Sequence, residues 1–231
     1  MIFLIQTIDG KVTHDFSIKL LEAIKYNKWL DSTCDMKYVL SDSCILIPGF
    51  CPIGSVDFVQ EYLSKVYLKP VYPINIPKSL LVDKYTNRNI FYGTERSANL
   101  NLFIKSTDKI KGITGVYNSS ELPCGNYMFS ELVDFKSEWR TFIYKNKIVG
   151  LSNYLGECTT FPDVDVIKNM IEDYKDAPIS YTLDVGIMNS GETSIIECHD
   201  FFSCGLYGFN NLKVLPFMFY RWFTEFINKD K

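Results

Sequence analysis

The stretch Tyr181–Asp200, YTLDVGIMNSGETSIIECHD, reads as two strands joined by a turn at Asn189-Ser190-Gly191. Side chains alternate faces along a strand, so Glu197 and His199 point one way and Cys198 the other. If the strands run antiparallel, Asp184 comes close to that pair. Two carboxylates and an imidazole converging on one spot suit a hard divalent cation, Mg²⁺ first. A solvated hairpin face is the ordinary alternative. The choice depends on whether the rest of the chain supplies something for a metal to hold.

The chain has 231 residues, enough for one large domain or two small lobes around a real core. Hydrophobic residues make up 47% and charged residues 22%, an ordinary globular balance. The net charge of −3 speaks against broad contact with a nucleic-acid backbone, although a local basic patch stays open. Seven scattered cysteines without a C-x-x-C pair, and an N-terminus without a basic leader, predict a reducing, cytoplasmic compartment. Only His14 and His199 are available as imidazoles, too few for a Cys/His zinc site. No apolar run reaches transmembrane length, so a membrane partner is not expected.

Outward from the hairpin, the order of elements is informative. Ile2–Ile8 and Cys44–Phe50 read as buried strands, each closed by a turn. Helical spacing runs from Asp15 to Tyr26, and Ser55 reads as the N-cap of a helix carrying Val56, Val59, Tyr62 and Leu63. Residues 1–78 thus form a small α/β layer, bounded by a connector, Lys69–Ser79, with three prolines. Residues 79–231 are richer in strands. They include NLFIK ending at Lys105, YMFSELVDF, and EWRTFIYKN with KIVGLSNYL around a tight turn at Asn146. Asp163 caps a helix through Tyr174, and an aromatic helix, Leu212–Asn228, closes the chain as core packing. The fold class is mixed, α/β followed by α+β.

Three further groups carry chemistry. Lys105 ends an apolar strand and STDKIKGITG follows, with Lys109 and Lys111 among glycines. Such a stretch holds nucleotide phosphates through close backbone N–H groups and a lysine point charge. It lacks the Walker A pattern, and surface lysines around a turn are the alternative. Glu138 and Arg140 share a strand face opposite Trp139. Arginine there suits bidentate contact with phosphate, or an intrastrand ion pair with Glu138. Lysines and an arginine for polyphosphate, with carboxylates for Mg²⁺, together place a γ-phosphoryl group for attack. Cys198 beside His199 does not form a thiol dyad, because alternation sets them on opposite faces.

At this point the chain resembles the ATP-grasp superfamily, and within it small domain proteins of phage and bacterial type with an EWR strand and a TLDVG…IIE hairpin. The resemblance covers Asn101–Gly208 well and the first 78 residues by general shape. It implies a small N-terminal α/β pre-ATP-grasp domain (1–78) followed by an ATP-grasp domain (79–231) whose two lobes clasp ATP. Lys105 falls at the phosphate-binding lysine and Lys111 at a second lysine near a mobile loop. Glu131, Leu132 and Val133 fall on the hinge that receives adenine through backbone groups. Glu138 and Arg140 match the strand facing nucleotide and substrate. Asp184 and Glu197, thirteen residues apart, match the metal-binding carboxylates. The superfamily usually reads Glu-x-Asn on the second metal strand; here it is Glu-Cys-His, with His199 at the Asn position. Asp200, one residue out of phase, is expected to face away, and CGLYG (Cys204–Gly208) reads as a substrate-side loop or a helix-entry turn.

The resemblance therefore implies an ATP-dependent carboxylate–amine (or thiol) ligase with ATP and Mg²⁺, Mn²⁺ being possible. Arg140 and Lys105 take the catalytic places, and Asp184, Glu197 and His199 those of the metal ligands. Its partners are a small-molecule or peptide carboxylate and an amine acceptor. A kinase-like phosphoryl transferase and a non-catalytic nucleotide-binding module are the alternatives on the same fold.

Overall fold

The structure, a computed structural model, describes residues 1–94, 100–110 and 112–229. The first layer holds β1 (Ile2–Gln6), α1 (Asp15–Leu30), β2 (Lys37–Ser41), β3 (Cys51–Ile53) and α2 (Val56–Tyr67). Its sheet is parallel, ordered β2-β1-β3. The apolar run at the start of the chain becomes the central strand, with Phe3, Leu4 and Ile5 fully buried. Ser55 caps α2 by accepting from the amide of Phe58 at 3.2 Å. The strand expected at Cys44–Phe50 is not one. Pro48 has no amide to donate and Gly49 sits at φ 101°, so the pairing begins past them, at Cys51. Leu46 and Ile47 are left exposed.

The middle of the chain builds a second sheet from α3 (Asp83–Thr86), β4 (Ile90–Gly93), β5 (Asn101–Ser106), β6 (Thr114–Asn118) and β7 (Tyr127–Ser130). Its strands are antiparallel in the order β4-β7-β5-β6, with α3 leading into them. The last part adds β8 (Phe135–Tyr144), β9 (Lys147–Gly156), α4 (Val164–Asp173), β10 (Ser180–Met188), β11 (Thr193–Asp200) and α5 (Leu215–Asn228). These strands form an antiparallel sheet ordered β11-β10-β8-β9. The β8–β9 turn uses Lys145 and Asn146, both left-handed at φ 51° and 56°, the two-residue turn that suits twisted strands. Asp163 caps α4, accepting from the amides of Asp165 and Val166.

Two large cores hold these layers. One lies under the third sheet, where Ile167, Met170 and Ile171 of α4 meet Trp139, Leu183, Val185 and Ile195. The other joins the two ends of the chain. Leu215, Met218, Phe219, Trp222 and Phe223 of α5 pack with β1, β3, α1 and α2, and Phe201, Phe202 and Phe209 enter the same cluster. The closing helix starts at Leu215, three residues later than the sequence pattern suggested, with Pro216 in its first turn. No helix among the described residues is long and apolar enough to cross a membrane. The connector is tied to the third sheet at Asn75, whose carbonyl accepts from the amide of Cys198 at 2.6 Å.

Candidate functional site

Register assembles the site. Asp184 on β10 stands opposite Arg140 on β8 and opposite Glu197 on β11, so three charged side chains form a row across three strands. Thr182 pairs with His199 one step along the same face. A bulge follows Asp184, where the β10–β11 register shifts and Ile196 becomes the extra residue. Ligand atoms of Asp184, Glu197 and His199 all lie within 4.8 Å of one another. Cys198 points into the core on the other face, fully buried, where burial pushes its thiol well up. No thiol–imidazole dyad forms.

Each carboxylate is already matched to a cation. Arg140 grips Asp184 with two parallel bonds, Nε to Oδ1 at 2.8 Å and Nη2 to Oδ2 at 2.7 Å. Both side chains are buried, and Arg140 pairs with Asp184 across the strands rather than with Glu138 on its own strand, the alternative that the sequence left open. Burial works against the guanidinium charge, but the hydrogen bonds and charge of Asp184 more than offset it and raise the pKa of Arg140. Lys105, at the end of β5, forms an ion pair with Glu197, whose other oxygen meets His199 Nε2. Burial pushes the Lys105 ammonium down to about 8; Asp184 pulls it up and Arg140 adds to the fall. Burial likewise pushes His199 down to about 4, with Lys105 adding to the effect and Asp184 opposing it. Its imidazole is neutral at pH 7, the form that ligates a metal.

Two cavities meet at this row. The first, about 290 Å³, lies between the second and third sheets. Phe103, Val116, Met128 and Ile196 make its apolar walls, and Glu131, Leu132, Val133 and Glu138 reach it. The second, about 340 Å³, is lined by Tyr72, Pro73 and Ile74 of the connector, by Lys109, Arg140 and His199, and by the loop after β11. Lys105 and Thr114 border both. One cavity has apolar walls with charged residues at its border, the other is rimmed with cations, and Lys105 stands at their junction.

The remaining expected residues fall as follows. Glu131 donates its amide to the Asn89 carbonyl at 2.9 Å and turns its carboxylate to Asn89, and it lines the first cavity together with Leu132 and Val133. Glu138 lines the first cavity and accepts from Tyr154 Oη at 2.7 Å. Lys111 lies outside the described residues. Asp200 borders the second cavity, yet its carboxylate accepts from the Trp222 indole at 2.7 Å, apart from the metal-ligand trio. The Cys204–Gly208 turn reaches the cavity, and the Gly205 carbonyl accepts from Arg140 Nη1 at 3.1 Å.

Sequence reasoning missed Tyr154 and Arg88, and noted Tyr207 only as part of the Cys204–Gly208 turn. Tyr154 and Tyr207 stack at 5.0 Å beside Arg140, whose guanidinium lies 5.0 Å from the Tyr207 ring. Arg88 lines the first cavity from the end of α3. Periodicity marks none of them: Tyr207 and Arg88 sit in irregular segments, and Tyr154 lies on a half-buried strand with no alternation.

The fold is shared with proteins of known structure. The RimK domain protein ATP-grasp from Sphaerobacter thermophilus DSM 20745 is 11% identical at TM-score 0.58, covering 99% of both chains. PsnB, solved with its minimal precursor, Mg and ADP, is 10% identical at TM-score 0.54, covering 96% of this chain and 97% of that one. D-alanine–D-alanine ligase from Bacillus anthracis, complexed with ATP, is 10% identical at TM-score 0.53, covering 100% and 99%. At such identities the likeness carries the fold, and that fold is ATP-grasp. No curated protein sequence matches the chain. The model of an ATP-grasp domain family, family 2 of its clade, matches residues 85–217, more than half of the chain. The chain belongs to this ATP-grasp family.

Proposed function

We propose that this protein is an ATP- and Mg²⁺-dependent ligase that activates a carboxylate as an acyl phosphate and joins it to an amine or thiol. The observation that carries the reading is the junction itself, where Lys105 and the Asp184–Glu197–His199 group stand between an apolar slot and a cation-rimmed cavity. The donor set fits the metal: two carboxylates suit Mg²⁺, and a neutral imidazole also admits Mn²⁺. Asp184, Glu197 and His199 would hold the ion, which supplies charge neutralisation to polyphosphate oxygens.

The chain's own groups do the rest. The base enters the first cavity against Leu132 and Val133. Lys105 leaves Glu197 for a phosphate, with Lys109 nearby and Lys111 proposed as a further phosphate ligand. The substrate carboxylate lies in the second cavity beside Arg140, and its oxygen attacks the γ-phosphorus while ADP departs. Arg140 steadies the acyl phosphate until the amine displaces phosphate. Residues 1–78 with the loop after β11 bound the acceptor side, and residues 79–231 supply the two lobes. PsnB is also solved with the precursor peptide PsnA2, which makes a peptide carboxylate one candidate substrate, beside small-molecule acids. Seven free thiols support a reducing, cytoplasmic setting.

A second reading, a nucleotide-binding module without turnover, draws on one observation. Both carboxylates are neutralised by Arg140 and Lys105 before any ligand arrives. Thermal unfolding decides the first step. MgATP at about a hundred times its Kd should add about 2.7 kcal/mol to wild type, and in Glu197→Ala the part of that shift that depends on Mg²⁺ should be lost. ADP release over a panel of acids, peptides and amines decides the second. Binding without ADP above the Glu197→Ala control favours the module, and a stable phosphorylated product favours a kinase-like transferase.

A further inference from the structure

Two tyrosines stand open to solvent at the second cavity. Tyr72 in the connector is 61% exposed and Tyr207 in the loop after β11 is 48% exposed, and both line the cavity. Neither is a loose surface residue. Tyr72 lies between Pro70 and Pro73, whose rings fix the backbone on either side of it. Tyr207 takes a left-handed φ of 46°, stacks on Tyr154 at 5.0 Å and leans over Gly205, where a Cβ would come within 3.2 Å of its ring. A tyrosine held in that region of φ is strained, and strain of this kind concentrates where ligands bind.

The surface beside them is apolar too. Val56 at the start of α2, Ile74 of the connector and Phe202 line the same space. Charge is sparse by comparison. In the reading above Lys105 and Lys109 go to the phosphates, which leaves Arg140 for the substrate, and one guanidinium matches one carboxylate. A second carboxylate would share the space with Asp200, the one acid lining this cavity among the described residues, and would stay unmatched at a cost. The Arg140 guanidinium lies 5.0 Å from the Tyr207 ring, so apolar surface starts directly beside the carboxylate position. At about 340 Å³ the cavity is near the small end for a ligand site, the scale of one amino-acid residue.

Resting on the ligase reading above, we propose that the acid this protein activates is a monocarboxylic α-amino acid with an aromatic or branched apolar side chain, free or at the C-terminus of a peptide, and that Tyr72 and Tyr207 select it. Calorimetric titration of the full chain with Mg²⁺ and AMPPNP compares phenylalanine, alanine and glutamate, each free and as its glycyl dipeptide. In one of the two series phenylalanine is expected to bind at least about tenfold more tightly than alanine or glutamate, the scale of discrimination in an apolar pocket. The series that shows it tells a free amino acid from a peptide end. The phenylalanine-to-alanine ratio falls toward one in Tyr72→Ala and in Tyr207→Ala, a change that general loosening would not produce. Glutamate binding as tightly as phenylalanine in both series overturns the proposal, as does a ratio that both variants leave unchanged, or no binding of any acid. If the variants do not fold, the wild-type series decides alone. Hydroxylamine trapping with MgATP reads turnover separately. The carboxylate oxygen attacks the γ-phosphorus and ADP leaves; the hydroxylamine nitrogen then attacks the acyl carbon, and phosphate leaves with a hydroxamate formed. Apolar preference in binding without any hydroxamate supports the subsite and overturns the ligase reading, whereas hydroxamate from glutamate alone does the reverse.

Discussion

Asp184 has two employments that compete. Its two oxygens lie in the fork of Arg140, almost wholly out of solvent, and the same oxygens are the ones a metal would take. Removing one partner of a buried pair leaves the other charge stranded, so Asp184→Asn is expected to destabilise the protein by about 3–5 kcal/mol in urea unfolding. A change within about 0.5 kcal/mol would show that water reaches the pair. Glu197 differs because its cation, Lys105, can swing to phosphate. Glu197→Ala is therefore expected to remove the Mg²⁺-dependent part of ATP binding at a smaller cost in apo stability. The same pair of unfolding experiments checks both statements.

At the scale of elements, the strand faces are tightly specified. A Cβ at Gly186 would lie 2.3 Å from the Phe135 ring, which itself lines the first cavity. Gly186→Ala is expected to cost about 1–3 kcal/mol by overpacking, and to weaken ATP as Phe135 is pushed into the slot. Unfolding and titration on the same sample test it; unchanged ATP affinity would separate Phe135 from the base. Much of this level was legible in the sequence. Period-two alternation put Glu197 and His199 on one face, and Ser55 and Asp163 announced their helices. The strand misread at Cys44–Phe50 is a continuous apolar run, which carries no period to distinguish strand from loop. The Asp184–Arg140 grip was not legible either, because it depends on which strand lies beside which. Arg88 was missed for a related reason, since its partners come from β7 and β11, far away in the chain.

For the whole molecule, the loop after β11 is the place where the layers meet. The Leu206 amide donates to Asp15 Oδ2 at 2.9 Å, and Ser203 Oγ donates to the Gly54 carbonyl at 2.7 Å. The loop that touches Arg140 through Gly205 is thus pinned from the N-terminal layer. Asp15→Asn weakens a hydrogen bond to a charged acceptor, so amide exchange at Leu206 is expected to speed up about tenfold while the β10–β11 ladder is unchanged. Equal acceleration in both would mean general loosening instead. The shared core has a consequence for anyone recombining such proteins. Because α5 completes the hydrophobic cluster of β1, β3, α1 and α2, the N-terminal layer is not a cassette that can be cut at the proline-rich connector. A graft that exchanges residues 1–78 for those of a relative inherits a foreign wall against Phe219 and Trp222. A workable chimera has to carry both ends of the chain from the same parent and place its crossovers inside the clasp.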